Sequence, residues 1–499
     1  MNVFDTSGTR VLEERHTGKS VESGYLLMRK ASAGVAAVLL QSLGTYSRVI
    51  ILAGKGNNGG DAICTASILW RSGVRNMVIY SVSAKEQFVG EAAMAVRDLE
   101  PEIPFITPEE LTAEDFFPGD IVVDGLLGIG FSGQEVRGKA ASFINAVNVS
   151  GVPVISLDVP SGVDASSGNA ADPAVKAAAT FMLGTVKKGV LNSVQHSGIL
   201  RYIDIGISQE ISETSGVYTQ REAYKDISSV RWDAHKNSRP RVLIFAGCRK
   251  YGGAAKLNLH AALRSGAGIC RLVTAACDRT GLPLSGIVKV CDSADDSSYP
   301  ANAVSDNFEL FEKSDVLLAG SGWGNADKKL ISDVLSFSGK VVLDADFLNV
   351  LSRHPQMWNF KHDAVLTPHY GEACRLADAF GITVRSDLAV ALADKLECVV
   401  VLKGPLSVTA SYDGSRWQNT SGTSALATAG SGDVLAGVIA SCIAGASQAD
   451  NLCRRTAFAV WVHGVAGEIS GSNLIADDLP VAVGSVMEKL LRKKVIPIL

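Results

Sequence analysis

The 499-residue sequence predicts an α/β protein made of two doubly wound domains, each with a parallel sheet between layers of helices. Three observations predict this fold class. The chain is too long for a single hydrophobic core, short apolar runs alternate with helical patterns, and glycine-rich loops follow several of those runs. Units of strand, glycine loop and helix are also where open α/β sheets bind ligands.

The first half of the chain contains short apolar runs that predict buried strands. These runs are Val49–Leu52, Met77–Tyr80, Ile121–Val123 and Val154–Leu157. Each is bounded by Gly, Pro or Asp, and helical patterns occupy the intervals between them. Such alternation favours a parallel sheet with both faces covered by helices.

A second series of apolar runs follows a polar interval. The runs are Val242–Phe245, Val316–Ala319, Val341–Leu343 and Cys398–Leu402. The interval, Ser208–Arg239, is charged and has no sustained apolar period, so we place the domain boundary near residue 225. The last segment, Leu479–Leu499, predicts a helix ending in the basic residues Arg492-Lys493-Lys494, which suits a solvated helix end.

Composition narrows the class of protein. The net charge is −4 with 47% hydrophobic residues, so nothing favours general attraction to nucleic acid or acidic membranes. Nine dispersed cysteines without a CxxC pair indicate reduced thiols rather than disulfides or a zinc site. The start lacks a signal-peptide pattern, and the uncharged stretches Ala31–Ser47 and Val434–Gln448 are too short and polar to span a membrane. We therefore expect a cytoplasmic protein.

Polar side chains follow three of the first-half strands. The first strand runs into Gly56-Asn57-Asn58-Gly59-Gly60-Asp61, which is neither GxGxxG nor a Walker loop. Its amide groups suit a ribose–phosphate or a hard cation, although a turn using Asn and Gly for left-handed conformations is the alternative. Asp124, and Asp158 with Ser161, end two later strands. These groups would converge on one crevice if the strands are neighbours.

Residues 1 to about 215 resemble the NAD(P)HX epimerase family of YjeF N-terminal type. The resemblance rests on the GNNGGD run, on Asp124 with Leu127-Gly128-Ile129-Gly130, and on Asp158-Val159-Pro160-Ser161-Gly162. It implies a Rossmann-like three-layer sandwich that interconverts the R and S forms of NADH or NADPH hydrated at nicotinamide C6. It also implies that Asp158 is the acid–base residue and that Asn58, Asp124 and Ser161 hold potassium. The residues implied to line the hydrated cofactor are Asn57, Asn58, Gly59, Gly60, Asp61, Gly128, Ile129 and Gly130.

Two departures from that family's pattern bear on the first domain. Ala62 stands where the family has glycine after the aspartate of GNNGGD, and Arg29-Lys30 stand where it has an acid and an amide. If the second segment touches the site, the epimerase half is altered. The alternative hypothesis is a nucleotide-binding or scaffolding module without catalysis.

The second half contains a glycine run that predicts an anion site. Gly430-Ser431-Gly432-Asp433 opens an apolar helix, so backbone N–H groups and the helix dipole can cradle a phosphate. Asp433 could take a proton from an attacking hydroxyl. A simple helix cap by Ser431 or Asp433 is the alternative. His369, Glu372, Lys403 and Ser407 follow other strands and complete a phosphoryl-transfer set.

Residues 233–499 resemble the ribokinase-like superfamily and, within it, the ADP/ATP-dependent NAD(P)H-hydrate dehydratases. The motifs are Thr367-Pro368-His369-Tyr370-Gly371-Glu372, Lys403-Gly404 and Ala427–Gly437. The resemblance implies that Asp433 is the general base and that Gly430, Ser431 and Gly432 stabilise the transferring phosphoryl group. Lys403, Gly404, Ser407 and Gly432 would contact the nucleotide, and Gly268, His369 and Glu372 would lie by the substrate. The usual Gly-Pro-Gly reads Gly320-Ser321-Gly322 here, and Ser407 replaces a threonine.

We therefore predict a bifunctional nicotinamide-nucleotide repair enzyme. Residues 1–215 would be the epimerase domain, 216–232 a linker and 233–499 a ribokinase-like dehydratase domain. We expect NADHX and NADPHX as substrates, ADP or ATP as phosphoryl donor, K⁺ and Mg²⁺ as ions, and a homo-oligomer without nucleic-acid or membrane partners. The alternative is a ribokinase-like small-molecule kinase with a non-catalytic nucleotide-binding N-terminal module. ADP and ATP, and NADHX and NADPHX, stay open as alternatives.

Overall fold

A computed structural model describes residues 1–45, 48–209, 214–227, 239–276, 280–293, 295–359, 362–384, 386–445 and 451–492. The chain divides into two compact units, residues 1–212 and residues 213–494. Among the described residues, no helix combines the length and apolarity needed to cross a bilayer.

The first unit alternates strands and helices along the chain. Its strands are β1 (Val3–Phe4), β2 (Arg48–Ala53), β3 (Met77–Ser81), β4 (Phe105–Ile106), β5 (Asp120–Gly125), β6 (Val154–Leu157), β7 (Ala179–Leu183), β8 (Val186–Lys187) and β9 (Ile199–Ile203). Its helices are α1 (Thr6–Thr17), α2 (Val21–Ser42), α3 (Asn57–Arg71), α4 (Gly90–Arg97), α5 (Gly138–Ser150), α6 (Lys188–Asn192) and α7 (Val194–Ser197).

The main sheet of the first unit is parallel throughout, in the order β4-β3-β2-β5-β6-β7-β9. From β2 the chain adds β3 and β4 toward one edge of the sheet. From β5 it adds β6, β7 and β9 toward the other edge. This reversal makes the gap beyond the carboxyl ends of β2 and β5 the topological switch point, where ligands bind in such sheets. Leu52 of β2 lies opposite Asp124 of β5, so Asp124 stands at that gap.

Alternate residues of β2 enter two separate cores. Val49 and Ile51 pack in a cluster with α2 and α3, whereas Ile50 and Leu52 pack in a cluster that includes Phe143 of α5. Because both faces of the sheet are covered, the strand reads as a continuous apolar run rather than an alternating one. The predicted three-layer sandwich is confirmed.

The second unit contains a ten-stranded sheet, and its first strand along the chain lies at one edge of that sheet. Its strands are β10 (Ser215–Tyr218), β11 (Arg241–Phe245), β12 (Ile269–Thr274), β13 (Ile287–Val290), β14 (Val316–Ala319), β15 (Lys340–Leu343), β16 (Ala364–Leu366), β17 (Val399–Leu402), β18 (Val408–Ser411) and β19 (Arg416–Asn419). Its helices are α8 (Gln220–Asp226), α9 (Gly252–Arg264), α10 (Lys329–Leu335), α11 (Asp346–Arg353), α12 (Tyr370–Ala379), α13 (Leu388–Leu396), α14 (Ser431–Ala444), α15 (Leu452–Ser470) and α16 (Leu479–Leu491).

The second sheet follows the order β10-β19-β18-β17-β16-β15-β14-β11-β12-β13. It is parallel except where β18 pairs with its two neighbours. The winding direction reverses between β11 and β14, so this unit also has a switch point at the carboxyl ends of its strands. The predicted doubly wound fold class is confirmed for both units.

The predicted linker, residues 216–232, differs from the structure. Ser215–Tyr218 form β10, an edge strand parallel to β19, and Gln220–Asp226 form α8. The buried ring of Tyr218 lies 5.7 Å from that of Trp417, and Arg454 forms an ion pair of 2.9 Å with Asp226. A polar edge strand needs few apolar side chains, so its sequence resembles a linker; residues 228–232 lie outside the described residues.

The predicted C-terminal helix begins at Leu479 but ends at Leu491. Arg492 follows it as the C-cap residue. The two lysines of the predicted basic end, Lys493 and Lys494, lie outside the described residues.

Candidate active sites

A cavity of about 1150 Å³ lies at the switch point of the first unit. Its wall includes the loops that follow β2, β5 and β6, as the strand-end argument predicts. The predicted site residues along the wall are Asn57, Asn58, Asp61, Gly128, Ile129, Gly130 and Asp158.

The two other glycines of the GNNGGD run do not line this cavity. Gly59 and Gly60 are buried in the first turns of α3. A Cβ atom on Gly59 would collide with the carbonyl of Gly54, and one on Gly60 would approach Met28 to 2.6 Å. These glycines therefore let the helix start pack closely, which shapes the cavity from behind.

The three predicted potassium ligands belong to one hydrogen-bond network. The Ser161 hydroxyl donates to Asp124 Oδ1 at 2.6 Å, and Leu127 N–H donates to Ser161 Oγ at 2.8 Å. Asn58 Nδ2 donates to the Leu127 carbonyl at 2.8 Å. The other amide atom, Asn58 Oδ1, is buried without a hydrogen-bond partner. An unsatisfied buried acceptor next to a buried carboxylate fits a cation.

Asp158 is held by a buried lysine. Its backbone adopts φ +65°, and its Oδ1 accepts hydrogen bonds from Leu183 N–H at 3.0 Å and from Lys187 Nζ. Lys187 is fully buried and also donates to the Leu183 carbonyl at 2.8 Å. This arrangement fixes the position of one carboxylate oxygen.

The second site is built around a buried acid at the end of β15. Asp344 accepts hydrogen bonds from Thr367 Oγ1 at 2.7 Å, from Lys403 Nζ at 3.1 Å and from Ser321 Oγ at 3.2 Å. These partners follow β16, β17 and β14, so the carboxyl ends of four neighbouring strands meet at Asp344.

His369, Glu372 and Lys403 lie next to each other at this edge. His369 and Lys403 form a parallel bridge, and Lys403 Nζ is 4.0 Å from Glu372 Oε2. His369 caps α12, and its N–H donates to Glu372 Oε2 at 2.9 Å. Burial alone would lower the pKa of Lys403, but the negative charges of Asp344 and Glu372 raise it above the usual value. Lys403 therefore stays a cation.

Helix α14 begins without a side-chain cap. Gly430 precedes it at φ +91°, a left-handed conformation that favours glycine. Lys403 Nζ lies close to this helix start, 3.4 Å from where a Cβ on Gly432 would be. The hydroxyl of Ser431 is 3.3 Å from Nε2 of His463, whose pKa burial lowers to about 4. The ammonium of Lys403 therefore lies beside the helix start at which the glycine run predicts an anion site.

Asp433 projects into a second cavity of about 890 Å³, which Gly430 also lines. Asn258 Nδ2 donates to the Asp433 carbonyl at 2.7 Å and fixes the backbone there. Burial, followed by the charge of Asp344, raises the pKa of Asp433 to about 7. A carboxyl group with this pKa exchanges protons readily at neutral pH.

Gly404 and Ser407 close the turn after Lys403. Gly404 N–H donates to Ser407 Oγ at 3.2 Å, and that hydroxyl donates to the Gly404 carbonyl at 3.1 Å. Both residues lie at the same sheet edge as Lys403.

Gly268 is not brought together with the other predicted substrate residues. It precedes β12, and its N–H donates to the carbonyl of Pro240 just before β11. The amino ends of these parallel strands lie at the sheet edge opposite to Asp344 and Lys403. We correct the prediction for Gly268: the family resemblance implied its role, and its position directly before β12 puts it at the amino end of that strand.

Comparison with known proteins supports both halves. Residues 24–189 match the family model of the YjeF-related protein N-terminus, and residues 242–486 match that of NAD(P)H-hydrate dehydratase. The bifunctional NAD(P)H-hydrate repair enzyme Nnr of Coxiella burnetii is 32% identical over 92% of this chain and 95% of its own length. That of Thermofilum pendens is 31% identical over 99% and 96%.

This chain belongs to the family of bifunctional NAD(P)H-hydrate repair enzymes. Membership confirms the two resemblances found in the sequence and the predicted enzyme class. An ADP/ATP-dependent NAD(P)H-hydrate dehydratase from Bacillus subtilis, co-crystallized with ATP/Mg²⁺, is 23% identical, with a TM-score of 0.44 over 56% of this chain and 100% of that chain.

The departures from the repair-enzyme pattern in the first half lie away from its cavity wall. Arg29 and Lys30 are exposed on α2, whereas Met28 and Ala31 line the cavity. Ala62 is fully buried against Gly125 of β5. These substitutions therefore leave the cavity wall of the repair-enzyme fold unchanged.

Sequence reasoning missed several ionisable residues of the first site, among them Glu13 and Lys187. Glu13 on α1 lines the cavity, and Lys187 holds Asp158. Glu13 lies on a helix before the first strand of the main sheet, and Lys187 lies in the short strand β8 that follows β7. The one available signal for Lys187 was a lysine placed directly after an apolar run, which surface lysines also show.

Proposed function

We propose that the first unit epimerises R and S NAD(P)HX, and that the second unit dehydrates S-NAD(P)HX to NAD(P)H at the expense of ADP or ATP. The observation that carries this proposal is Asp433, a half-buried carboxyl group of pKa about 7 at the uncapped start of α14. Family membership assigns the reaction class, and the position of Asp433 supplies a base beside an anion site.

The dehydratase step uses residues from the end of the second sheet. The oxygen of the C6 hydroxyl attacks the terminal phosphoryl group of the nucleotide, and Asp433 accepts the proton of that hydroxyl. Backbone N–H groups of Gly430–Gly432 and the ammonium of Lys403 stabilise the charge that develops on the phosphoryl oxygens. Phosphate then leaves C6, the adjacent ring carbon loses a proton, and the double bond of NAD(P)H is restored.

The epimerase step uses the cavity of the first unit. Asp158 exchanges a proton while C6 loses and regains its hydroxyl group. Lys187 donates a hydrogen bond to Asp158 and so sets the direction of its carboxylate.

Potassium is proposed for the network of Asn58, Asp124 and Ser161. The orphaned Asn58 Oδ1 supports this assignment, and a site with one carboxylate suits a large monovalent ion. When bound there, the ion would supply positive charge close to the cofactor-binding loops. Mg²⁺ for the dehydratase stays a prediction.

A spectral assay separates this function from the kinase alternative. Purified S-hydrate is incubated with the full chain and either ADP or ATP, and absorbance of reduced nicotinamide is followed. Recovery of that absorbance with one or both nucleotides supports the dehydratase. Accumulation of a stable phosphate ester without recovery would identify a small-molecule kinase instead.

The cellular setting is also a proposal. All eight cysteines among the described residues are free, which supports the reducing environment of the cytoplasm. A homo-oligomer without nucleic-acid or membrane partners remains a prediction.

A further inference from the structure

Asp61 is a half-buried carboxylic acid with no fixed partner. It lies in the second turn of α3 and lines the same cavity as Asp158. In the part of the chain that the structure describes, its backbone carbonyl accepts hydrogen bonds from Ser32 and Thr65, but its carboxyl group has no hydrogen bond and no ion pair. A carboxyl group that supports no protein contact is available to a ligand.

The two acids of this cavity are therefore prepared differently. Asp158 is fixed by hydrogen bonds from Lys187 and from the N–H of Leu183. Asp61 lacks such donors. Two carboxyl groups with different surroundings in one site are the usual pattern of an acid and base pair.

Electrostatics in the cavity favour the neutral form of Asp61. Loss of solvation raises its pKa well above the usual value, and the negative charges of Asp158 and Glu13 raise it further. Lys187 opposes this effect but does not reverse it. The pKa of Glu13 is itself raised by burial. Asp61 thus retains a proton at a pH where an exposed carboxyl group would have lost it.

We propose that Asp61 is a second catalytic residue of the epimerase, a general acid that protonates the departing C6 hydroxyl while Asp158 serves the incoming water. This inference rests on the proposed function of the first unit. It assigns the two carboxyl groups to the two faces of the nicotinamide ring.

The step balances in atoms and charge. Asp61 gives its proton to the hydroxyl, the C6–O bond breaks with its electrons on oxygen, and water leaves as the ring nitrogen lone pair forms a double bond to C6. Water then adds to the other face of C6, and Asp158 takes its proton. Proton exchange with solvent, or the reverse reaction, returns both acids to their starting states.

The test compares matched variants of the full chain in R-to-S conversion, measured by chromatography of the two epimers. Asp61→Asn should lower the rate by about 10²–10⁴-fold, because an amide cannot donate an acidic proton. Asp61→Glu should retain part of the activity. Glu102→Gln is the control, since Glu102 is exposed and does not line the cavity; its rate should be unchanged. The melting temperature of the first unit, measured by calorimetry on the full chain, checks folding in every variant.

The pH dependence of the epimerisation rate and an isotope experiment show whether Asp61 acts as a general acid or has only a structural role. In the wild-type protein the epimerisation rate should fall as pH rises through the pKa of Asp61, and Asp61→Asn should lose this limb. Epimerisation in ¹⁸O water should place solvent oxygen at C6. Normal turnover of Asp61→Asn, an unchanged pH limb, or retention of the original oxygen would each overturn the inference.

Failure of the proposed function gives a different result. If the wild-type chain does not interconvert the epimers, the epimerase assignment fails, and with it the role of Asp61. If Asp158→Asn loses activity while Asp61→Asn retains it, the epimerase stands and only the role of Asp61 is refuted.

Discussion

Asp433 shows how the surroundings of one side chain set its chemistry. The Asp433 carboxyl is removed from water and stands near the charge of Asp344, and both effects raise its pKa to about 7. Lys403 and the Ser321 hydroxyl act in the opposite direction. If Asp433 is the general base, as proposed, its deprotonation near pH 7 should set the pH dependence of the dehydratase.

Replacement of Asp433 should separate chemistry from binding. Asp433→Asn is expected to lower dehydratase turnover by about 10²–10⁴-fold, because an amide cannot accept the hydroxyl proton. Nucleotide affinity, measured by calorimetry, should change little. Glu312→Gln, at an exposed acid outside both cavities, is the control. Near-normal turnover of Asp433→Asn would refute its role as general base.

Ser321 stands where the family usually has proline, and its hydroxyl should tune Asp433. Wild-type dehydratase rate should rise with pH through about 7, where Asp433 becomes deprotonated. In Ser321→Ala a group that lowers this pKa is lost, so the midpoint should move to higher pH. The measurement is the pH profile of kcat with saturating S-hydrate. A midpoint that stays in place or moves down would contradict the assignment.

At the scale of elements, the central strands could be predicted because they are apolar on both faces. β2, β5 and β11 lie in the middle of their sheets, so their sequences are near-continuous apolar runs. The edge strand β10 and the pair β18 and β19 escaped prediction, since their sequences mix polar and apolar residues. Pairing with a neighbour, rather than composition, defines them.

Strand β10 and helix α8 should be part of the stable second unit. A fragment of residues 239–499 lacks them and exposes Trp417, whose side chain is now 1% exposed. Compared with residues 214–499, its Tm should be lower by about 5–10 °C, since losing an aromatic contact of this kind costs about 1.5–3 kcal/mol and each kcal/mol shifts Tm by about 2–4 °C. Equal Tm values by calorimetry would show that this segment is a linker.

The loops after β2, β5 and β6 should create a dependence on potassium. Epimerisation is expected to rise to saturation with K⁺ concentration at constant ionic strength set by a bulky organic cation. Asn58→Ala removes the orphaned amide oxygen and should weaken this dependence, while dehydration of S-hydrate by the same variant stays normal. Full epimerase activity without K⁺ would contradict the site.

The sequence predicted the candidate catalytic residues more completely than the contacts that hold those residues in place. Asp158 and Asp433 stand beside motifs that the sequence displays, so both could be found from it. Lys187 reaches Asp158 across 29 positions, a contact that sequence pattern alone does not contain. The prediction for Gly268 came from the family resemblance alone and was wrong, because Gly268 directly precedes β12 and so lies at the amino end of that strand.

At the scale of the whole molecule, two units with separate cavities and separate acids carry complementary steps. Phosphoryl transfer requires the hydroxyl of the substrate to lie in line with the phosphate and within reach of Asp433. Misplacement by about 1 Å can already cost about 10²-fold in rate. A dehydratase alone would therefore leave the R epimer unused, and the epimerase in the first unit supplies its conversion.

The most direct test of this division supplies mixed R and S hydrates with nucleotide and follows recovery of NAD(P)H. The full chain should convert both epimers to completion. Residues 214–499 alone should stop once the S form is consumed, apart from slow spontaneous epimerisation. If the fragment consumes both epimers as fast as the full chain, or if the full chain also stops when the S form is exhausted, the assignment of an epimerase to the first unit is wrong.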